Sequence, residues 1–348
     1  MKLALDAMGG DFAPATNVEG ARLALERLAN LEKIYLVGDE AALKRQCDAC
    51  GLSGPHVEII HAPEVVTMEE SGLMAVRQKK RSSMSVAVDL VKEGACDAVL
   101  SAGNTGAAVA ASTVKLRLLP GVRRAGIATQ LPNEYGVCNV MDTGANPDAR
   151  ASHLVGYAVM AAVLVQYMYG KAEPKVGLMS NGTEECKGND FSKETLKLFR
   201  QLEGDGKLPF HFLGNVEGHD LFEKELDVVV TDGFTGNVLL KTCEATAKTF
   251  SKWLKREIMK SYVRRAGALL MQGAFRSLKK TLSADQTGGS PLLGVNGVSI
   301  IAHGRANSTA IFNAIRIAEG MHENSVNPRI VEALADMGNI PAEYDLPR

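Results

Sequence analysis

The sequence predicts an α/β fold built on a largely parallel sheet covered on both faces. Three observations carry the prediction. Short aliphatic runs alternate with helical patterns along the chain, which is the order that strand–helix–strand units require. Hydrophobic residues make up 46% of 348 positions, enough to bury a full core. The 34 glycines suit the many tight turns between strands and helices.

Taken in order, Lys2–Asp6 is an apolar run that stops at an acid and reads as the first strand. Met1 to Asp11 is too short and too soon acidic for a signal peptide, so it reads as that strand running into a loop. Apolar positions at helical spacing mark Val18–Leu31, Met84–Glu93, Ala107–Leu118, Ser192–Gln201, Val238–Lys260 and Asn307–Gly320 as helices, and Ala41–Cys47 continues the same kind of pattern. Between them lie the short, β-branched-rich runs Ile34–Val37, Val57–His61, Ala98–Ser101, Gly126–Gln130, Cys138–Asp142, Lys175–Met179, Phe210–Leu213, Val228–Thr231 and Ser299–Ala302, the composition of buried strands. Ala149–Tyr169 is helical and apolar on nearly all sides. Its apolar run contains Gln166 and falls short of the roughly 18 residues of a spanning helix, so it belongs in a core or a subunit interface. No stretch marks a linker. Residues 1–348 read as a single α/β enzyme domain, or as two interleaved lobes, with 250–282 protruding from it.

Asp227 to Asn237 organises the rest. Three valines end in Thr231-Asp-Gly-Phe-Thr-Gly-Asn237, and a helical pattern follows. A glycine-rich turn entering a helix offers free N–H groups to an anion. Asp97 to Ala107 repeats the pattern as Asp-x-Val-aliphatic-Ser/Thr-x-Gly-x-Thr-Gly. Two copies predict two lips of one anion-binding cleft. Similar loops follow several other strands, and ligands of open α/β sheets bind outside the carboxyl ends. The candidate substrate residues are Asp6, Gly9 and Gly10; Ser101, Gly103, Asn104, Thr105 and Gly106; Asp142, Thr143 and Asn146; Asn181, Gly182 and Thr183; Asp232, Gly233, Thr235 and Gly236; and His303.

These loops carry hydroxyls, amides and backbone N–H groups, which hold a phosphate and polarise a carbonyl. No G-x-S-x-G, H-E-x-x-H, G-x-x-x-x-G-K-[ST] or, after the first strand, G-x-G-x-x-G occurs, so neither a metal nor a cofactor is predicted. Lys187 puts an ammonium amid turn-forming residues; it faces phosphate or an oxyanion, or else pairs with Glu184 or Glu185. Cys186 beside it has no histidine in its loop to activate it and reads as a bystander. Asn237 serves as a helix cap, as an amide donor to substrate, or as both. His303 and Arg305 are placed to meet an anion or to serve structure. Arg77, Lys79, Lys80 and Arg81 form a solvated face or a landing site for an acidic partner.

The six cysteines are scattered, and Cys47-Asp-Ala-Cys50 sits in a helical pattern without a second pair for zinc, so reduced structural thiols are predicted. Net charge is −1, but nine Lys/Arg against Glu257 alone give Phe250–Leu282 a local +8 and leave the remainder at −9. Inside that segment Leu269, Leu270, Met271 and Phe275 lie in an uncharged tip between cationic flanks. The pattern suits a helical hairpin on an anionic membrane, with a dimer contact as the other reading. Few aromatics interleave with the charges, which disfavours nucleic acid.

Leu5-Asp-Ala-Met-Gly-Gly-Asp-x-Ala-Pro14, Leu100 to Ala107, Met141-Asp-Thr-Gly-Ala-Asn146, Asn181-Gly-Thr-Glu184 with Lys187-Gly-Asn189, and Thr231 to Asn237 together resemble the phosphate acyltransferases of bacterial phospholipid synthesis, from residue 2 to about 330. The resemblance implies a homodimer of Rossmann-like three-layer α/β/α fold, related to isocitrate and isopropylmalate dehydrogenases and to phosphotransacetylases. It implies acyl transfer from acyl carrier protein to inorganic phosphate, the acyl phosphate then feeding a membrane glycerol-3-phosphate acyltransferase. Its catalytic lysine and asparagine fall on Lys187 and Asn237, and its helical membrane protrusion on the 260s and 270s. It implies a cytoplasmic, peripherally membrane-associated enzyme. A phosphotransacetylase-like enzyme using acyl-CoA, and a non-catalytic acyl- or phosphate-binding membrane sensor, are the alternatives.

Overall fold

In the computed structural model, which describes residues 1–282, 288–341 and 344 (backbone alone at 279, 280 and 282), every predicted aliphatic run is a strand. The strands are β1 (Lys2–Asp6), β2 (Lys33–Gly38), β3 (Val57–His61), β4 (Ala98–Ser101), β5 (Gly126–Asn133), β6 (Gly136–Met141), β7 (Lys175–Met179), β8 (His211–Val216), β9 (Val228–Val230), β10 (Gly289–Leu293) and β11 (Val298–Ala302). The helices are α1 (Ala15–Arg27), α2 (Glu40–Cys50), α3 (Gly72–Gln78), α4 (Ser83–Lys92), α5 (Thr105–Leu116), α6 (Ala151–Tyr169), α7 (Asp190–Gly204), α8 (Asp220–Glu223), α9 (Gly233–Met259), α10 (Tyr262–Leu270), α11 (Gln272–Leu282), α12 (Ser308–Glu323) and α13 (Val326–Met337).

One sheet takes all eleven strands in the order β3-β2-β1-β4-β11-β10-β5-β6-β9-β7-β8. It is less parallel than predicted. β5 and β6 pair antiparallel from Asn133↔Gly136 onward, and so tight a connection can only reverse the chain. β6, β9, β7 and β8 therefore run opposite to β1 through β4, and β10 is antiparallel to both its neighbours. The ends of β6 and β11 still meet across the middle of the sheet, because Thr143, after β6, touches Thr129 in β5, which touches Ser290 in β10, and Ser290 pairs with Ile301 near the end of β11.

Two sequence breakers hid elements. Pro291 lies where β10 hands over from pairing with β11 to pairing with β5, a position that asks less of its missing N–H. Pro328 sits in the first turn of α13, where no intrahelical donor is needed.

Helices cover both faces. α1, α6, α7, α12 and α13 share one large apolar cluster with the sheet, while α3, α4 and α5 close the opposite face over the first half. The apolar α6 is the predicted core helix, but not because it is too short: its 19 residues are long and apolar enough to cross a membrane, and 78% of its apolar window is buried inside the fold. A small third cluster, around Cys138, Val140 and Val229, is covered by α8 and the start of α9. Beyond that start α9 buries nothing. Over its 27 residues only Gly233 and Gly236 are buried.

Candidate active site

The loops after β1, β4 and β11 interlock. The Gly103 N–H donates to Ser101 Oγ (3.1 Å), and Ser101 donates to Asp6 Oδ2 (2.7 Å). Burial pushes the Asp6 carboxyl up, although hydrogen bonds from Ser83 and Ser101 pull it back. Gly9 fits because any Cβ there would lie 2.7 Å from both Asp6 Oδ2 and Gly103 N. Gly10, at φ +106, tucks against the carbonyls of Gly304 and Ala102. The Asn104 amide donates to three carbonyls, those of Thr67, Met68 and Glu70, while its oxygen caps α5 through Ala107 N–H. Ser101 and Asn104 are thus spent on holding loops, whereas Asp6 keeps Oδ1 buried without a hydrogen-bond partner among the described residues. Thr105 and Gly106 are exposed at the start of α5, His303 accepts from the Arg305 N–H (3.0 Å), and Arg305 reaches Asp11 at 3.5 Å.

The loops after β6, β7 and β9 form a second group. Asp142, fully buried, accepts from Ile127, Gly144, Ala145 and Asn146 N–H at 2.7–3.0 Å. Burial raises its proton affinity and these four amides oppose the rise. Asp232 caps α9, accepting from both Thr235 N–H (2.9 Å) and Thr235 Oγ1 (2.8 Å). The cap is therefore Asp232, not Asn237. Asn237 lies one turn in, exposed, with its amide over Gly144, where a Cβ would come within 3.5 Å of it. No described residue hydrogen-bonds that amide. Gly233 and Gly236 let α9 close on the Asp142 loop, as the Gly233 N–H donates to Asn146 O (2.9 Å).

After β7, Asn181 Oδ1 accepts from the Gly188 N–H (2.8 Å) and closes a loop around Lys187. A Cβ at Gly182 would sit 2.6 Å from Lys187 Cγ, so a larger residue there would push the Lys187 side chain aside; Thr183 is exposed. Lys187 is exposed and makes no ion pair among the described residues, while Glu185 is taken by Arg200 at 2.9 Å. Pairing of Lys187 with Glu184 or Glu185 is therefore not what the fold uses. Ser180, Asn181, Gly188, Thr231, Asp232 and Thr235 line a cavity of about 390 Å³ between the β7 and β9 loops. Lys187 stands one residue from that lining and Asn237 two.

A chain of hydroxyls joins the two groups. Thr143 Oγ1, after β6, lies 2.7 Å from Thr129 Oγ1 in β5, which lies 2.8 Å from Ser290 Oγ in β10. Ser290 pairs with Ile301, two residues before His303. Ala145 reaches the same way, packing on the cluster that holds Ala107, Ala108 and Ile301. Sequence reasoning missed Thr129 and Ser290, which sit inside strands; the Gly288-Gly289 pair just before Ser290 is the one local signal that could have drawn attention to it.

The segment 250–282 is more than a hairpin. It comprises the end of α9 followed by α10 and α11, and α10 buries no residue. Leu269 and Leu270 are 70% and 89% exposed, Met271 is exposed and Phe275 half-buried. Arg264 pairs with Glu257 and Arg265 stacks on Tyr262, whereas the side chains of Lys279 and Lys280 lie outside the described residues. Of the basic patch, Lys79 pairs with Glu70, while Arg77, Lys80 and Arg81 are exposed near exposed Leu73 and Met74. Cys47 and Cys50 lie on α2 as free thiols, the former pushed up to about 11 by burial; Cys186 is exposed.

A family model described as fatty acid synthesis protein matches residues 1–329. The chain belongs to that family. It is 65% identical over 341 residues to the phosphate acyltransferase of Akkermansia muciniphila, covering 98% of each chain. With the phosphate acyltransferase of Trichlorobacter lovleyi it shares 44% over 336 residues, 97% of this chain and 95% of that one. This member of the family is an acyltransferase, as its motifs imply. A phosphotransacetylase from Streptococcus pyogenes has the same fold, with a TM-score of 0.63 at 16% identity over 93% of this chain and 94% of that one. That likeness bears out the α/β class and its relation to the phosphotransacetylase fold.

Proposed function

We propose that the chain transfers a fatty acyl group from the thioester of acyl carrier protein to inorganic phosphate, releasing an acyl phosphate. The observation that carries the reading is two side chains without partners among the described residues, on the loops of neighbouring strands: the Lys187 ammonium, next in sequence to the Gly188 that lines the cavity between those loops, and the Asn237 amide, two residues past Thr235 of the same lining. Phosphate is already anionic and acts as the nucleophile. Its oxygen attacks the thioester carbonyl, the C–S bond breaks, and the thiolate leaves to take a proton from solvent. Lys187 offsets charge on the phosphate or the oxyanion, and Asn237 orients one of them. Approximation of two bound reactants supplies about 7–11 kcal/mol in favourable cases, and each donor aimed at the oxyanion about 3. No protein nucleophile is required.

An acidic carrier is supported by the exposed Arg77, Lys80 and Arg81 beside Leu73 and Met74, cations around an apolar centre. A homodimer is supported by α9, whose Phe250 and Trp253 stand exposed. A cytoplasmic enzyme resting on the membrane, handing acyl phosphate to a membrane glycerol-3-phosphate acyltransferase, is supported by Leu269, Leu270 and Met271 at the tip of the arm.

The test is mass spectrometry of the acyl product from phosphate with acyl carrier protein and CoA thioesters side by side. Acyl phosphate from the carrier thioester supports the reading; a product from CoA alone supports a phosphotransacetylase, and binding without product a sensor. Lys187→Ala and Asn237→Ala should each cut turnover strongly in folded protein. Near-normal rates in both remove their roles, and an acylated side chain trapped during turnover removes the mechanism. Leu269→Glu with Leu270→Glu should release the protein from anionic vesicles, and continued binding would favour a dimer contact at the tip.

A further inference from the structure

A second cavity, of about 380 Å³, opens between α6, α13 and the segment preceding β5. Its size falls in the range of small-molecule sites. Its wall is divided by chemistry. Met160, Leu334, Met337 and Ile340 supply an apolar surface, and Arg124 stands exposed among the residues that line it. α6 turns a glycine into the space: a Cβ built on Gly156 meets no atom within 4 Å outside its own helix backbone. A glycine inside a buried helix lowers helix stability by roughly 1 kcal/mol, so a position open to a larger side chain is spent on keeping the volume clear.

The backbone that lines the cavity is tied to the Asp142 loop through its sequence neighbours. Asn146, from the Asp142 loop, donates to Ala125 O at 2.5 Å and to Tyr157 Oη at 2.8 Å. Ala125 follows Arg124, and Tyr157 follows Gly156. One residue thus joins the wall of this cavity to the loop that carries Thr143 and packs under Asn237.

We propose that this cavity binds the aliphatic chain of a long-chain acyl anion, the chain lying on Met160, Leu334 and Met337 and the anionic head facing Arg124. The choice of an acyl chain rests on the acyl-transfer reading; the amphipathic lining rests on the cavity alone. Each methylene withdrawn from water strengthens binding about fourfold, so hexadecanoate should bind far better than octanoate.

Binding of hexadecanoate to the full-length protein, by calorimetry, is the first measurement, and it needs no turnover. Gly156→Leu, which fills the space from α6, should weaken it at least tenfold. Ala335→Phe, on the exposed side of α13, should do the same without altering a buried position. Arg124→Glu should weaken hexadecanoate but not hexadecanol. The source of the chain is read separately, from the ratio of C16 to C8 acyl transfer. A fall of that ratio tenfold in Gly156→Leu makes the occupant the transferred chain, and an unchanged ratio with lost hexadecanoate binding makes it a free acyl anion. Hexadecanoate affinity unchanged in both folded filling variants overturns the proposal. If the protein makes no acyl phosphate yet binds hexadecanoate here, the transfer reading fails and the cavity stands.

Discussion

Gly236→Ala tests whether the junction between α9 and the Asp142 loop sets the geometry of the site. A Cβ at Gly236 would lie 2.0 Å from the Asp142 carbonyl oxygen and 3.0 Å from its carbon. Both atoms are backbone, so no rotamer relieves the contact. Since real Cβ contacts stop at 3.0 Å, helix and loop must part by about 1 Å. The displacement falls on Asn237, the next residue, and on Gly144 beneath it. A misplacement of that size costs about 100-fold in rate, or about 2.7 kcal/mol of transition-state stabilisation. Overpacking should also remove about 1–3 kcal/mol of stability. The assay is kcat/KM for acyl transfer to phosphate, with circular dichroism and a thermal melt on the same sample. Gly267→Ala is the control: nothing lies within 4 Å of its Cβ, and in α10 it should be neutral or stabilising by about 0.5–1 kcal/mol. If folded Gly236→Ala keeps kcat/KM within about threefold of the parent, the reasoning fails.

Asn104→Ala removes a helix cap and three carbonyl contacts and should cost about 2–4 kcal/mol in urea unfolding, the exposed carbonyls recovering part from water. Thr129→Val leaves the Thr143 and Ser290 hydroxyls without their shared partner and should cost about 1–2 kcal/mol; a Ser290→Ala double-mutant cycle should show coupling between the two sites. Glu70, held chiefly by its hydrogen bond with Lys79, has its carboxyl lowered from 4.5 to about 2. A lowered carboxylate contributes stability that is full above pH 4.5 and lost as pH falls toward 2. Proteolysis within 65–79 should therefore quicken across that window in the parent, and Glu70→Gln should be cleaved faster at neutral pH and show less of the acid effect.

Much of the molecule was legible in the sequence because it is encoded locally. The aliphatic runs, the glycine-rich turns and the all-round apolar α6 each announce themselves within a few residues, and the ordered motifs name the family. What tertiary structure decided is what those motifs are for. Asn104, Asp142 and Asp232 look like ligand-binding groups in a string of letters, yet each is taken up by neighbours that the fold brings to it. Among the described residues Lys187 and Asn237 have no such partners, and only the tertiary contacts reveal it. The reversal of half the sheet at the β5–β6 hairpin escaped notice because Glu134-Tyr135 carries no Asn-Gly or Asp-Gly signal. Thr129 and Ser290 stand 161 positions apart. A hydrogen bond across that distance has no local signature, because its energy belongs to the closed chain and not to either strand.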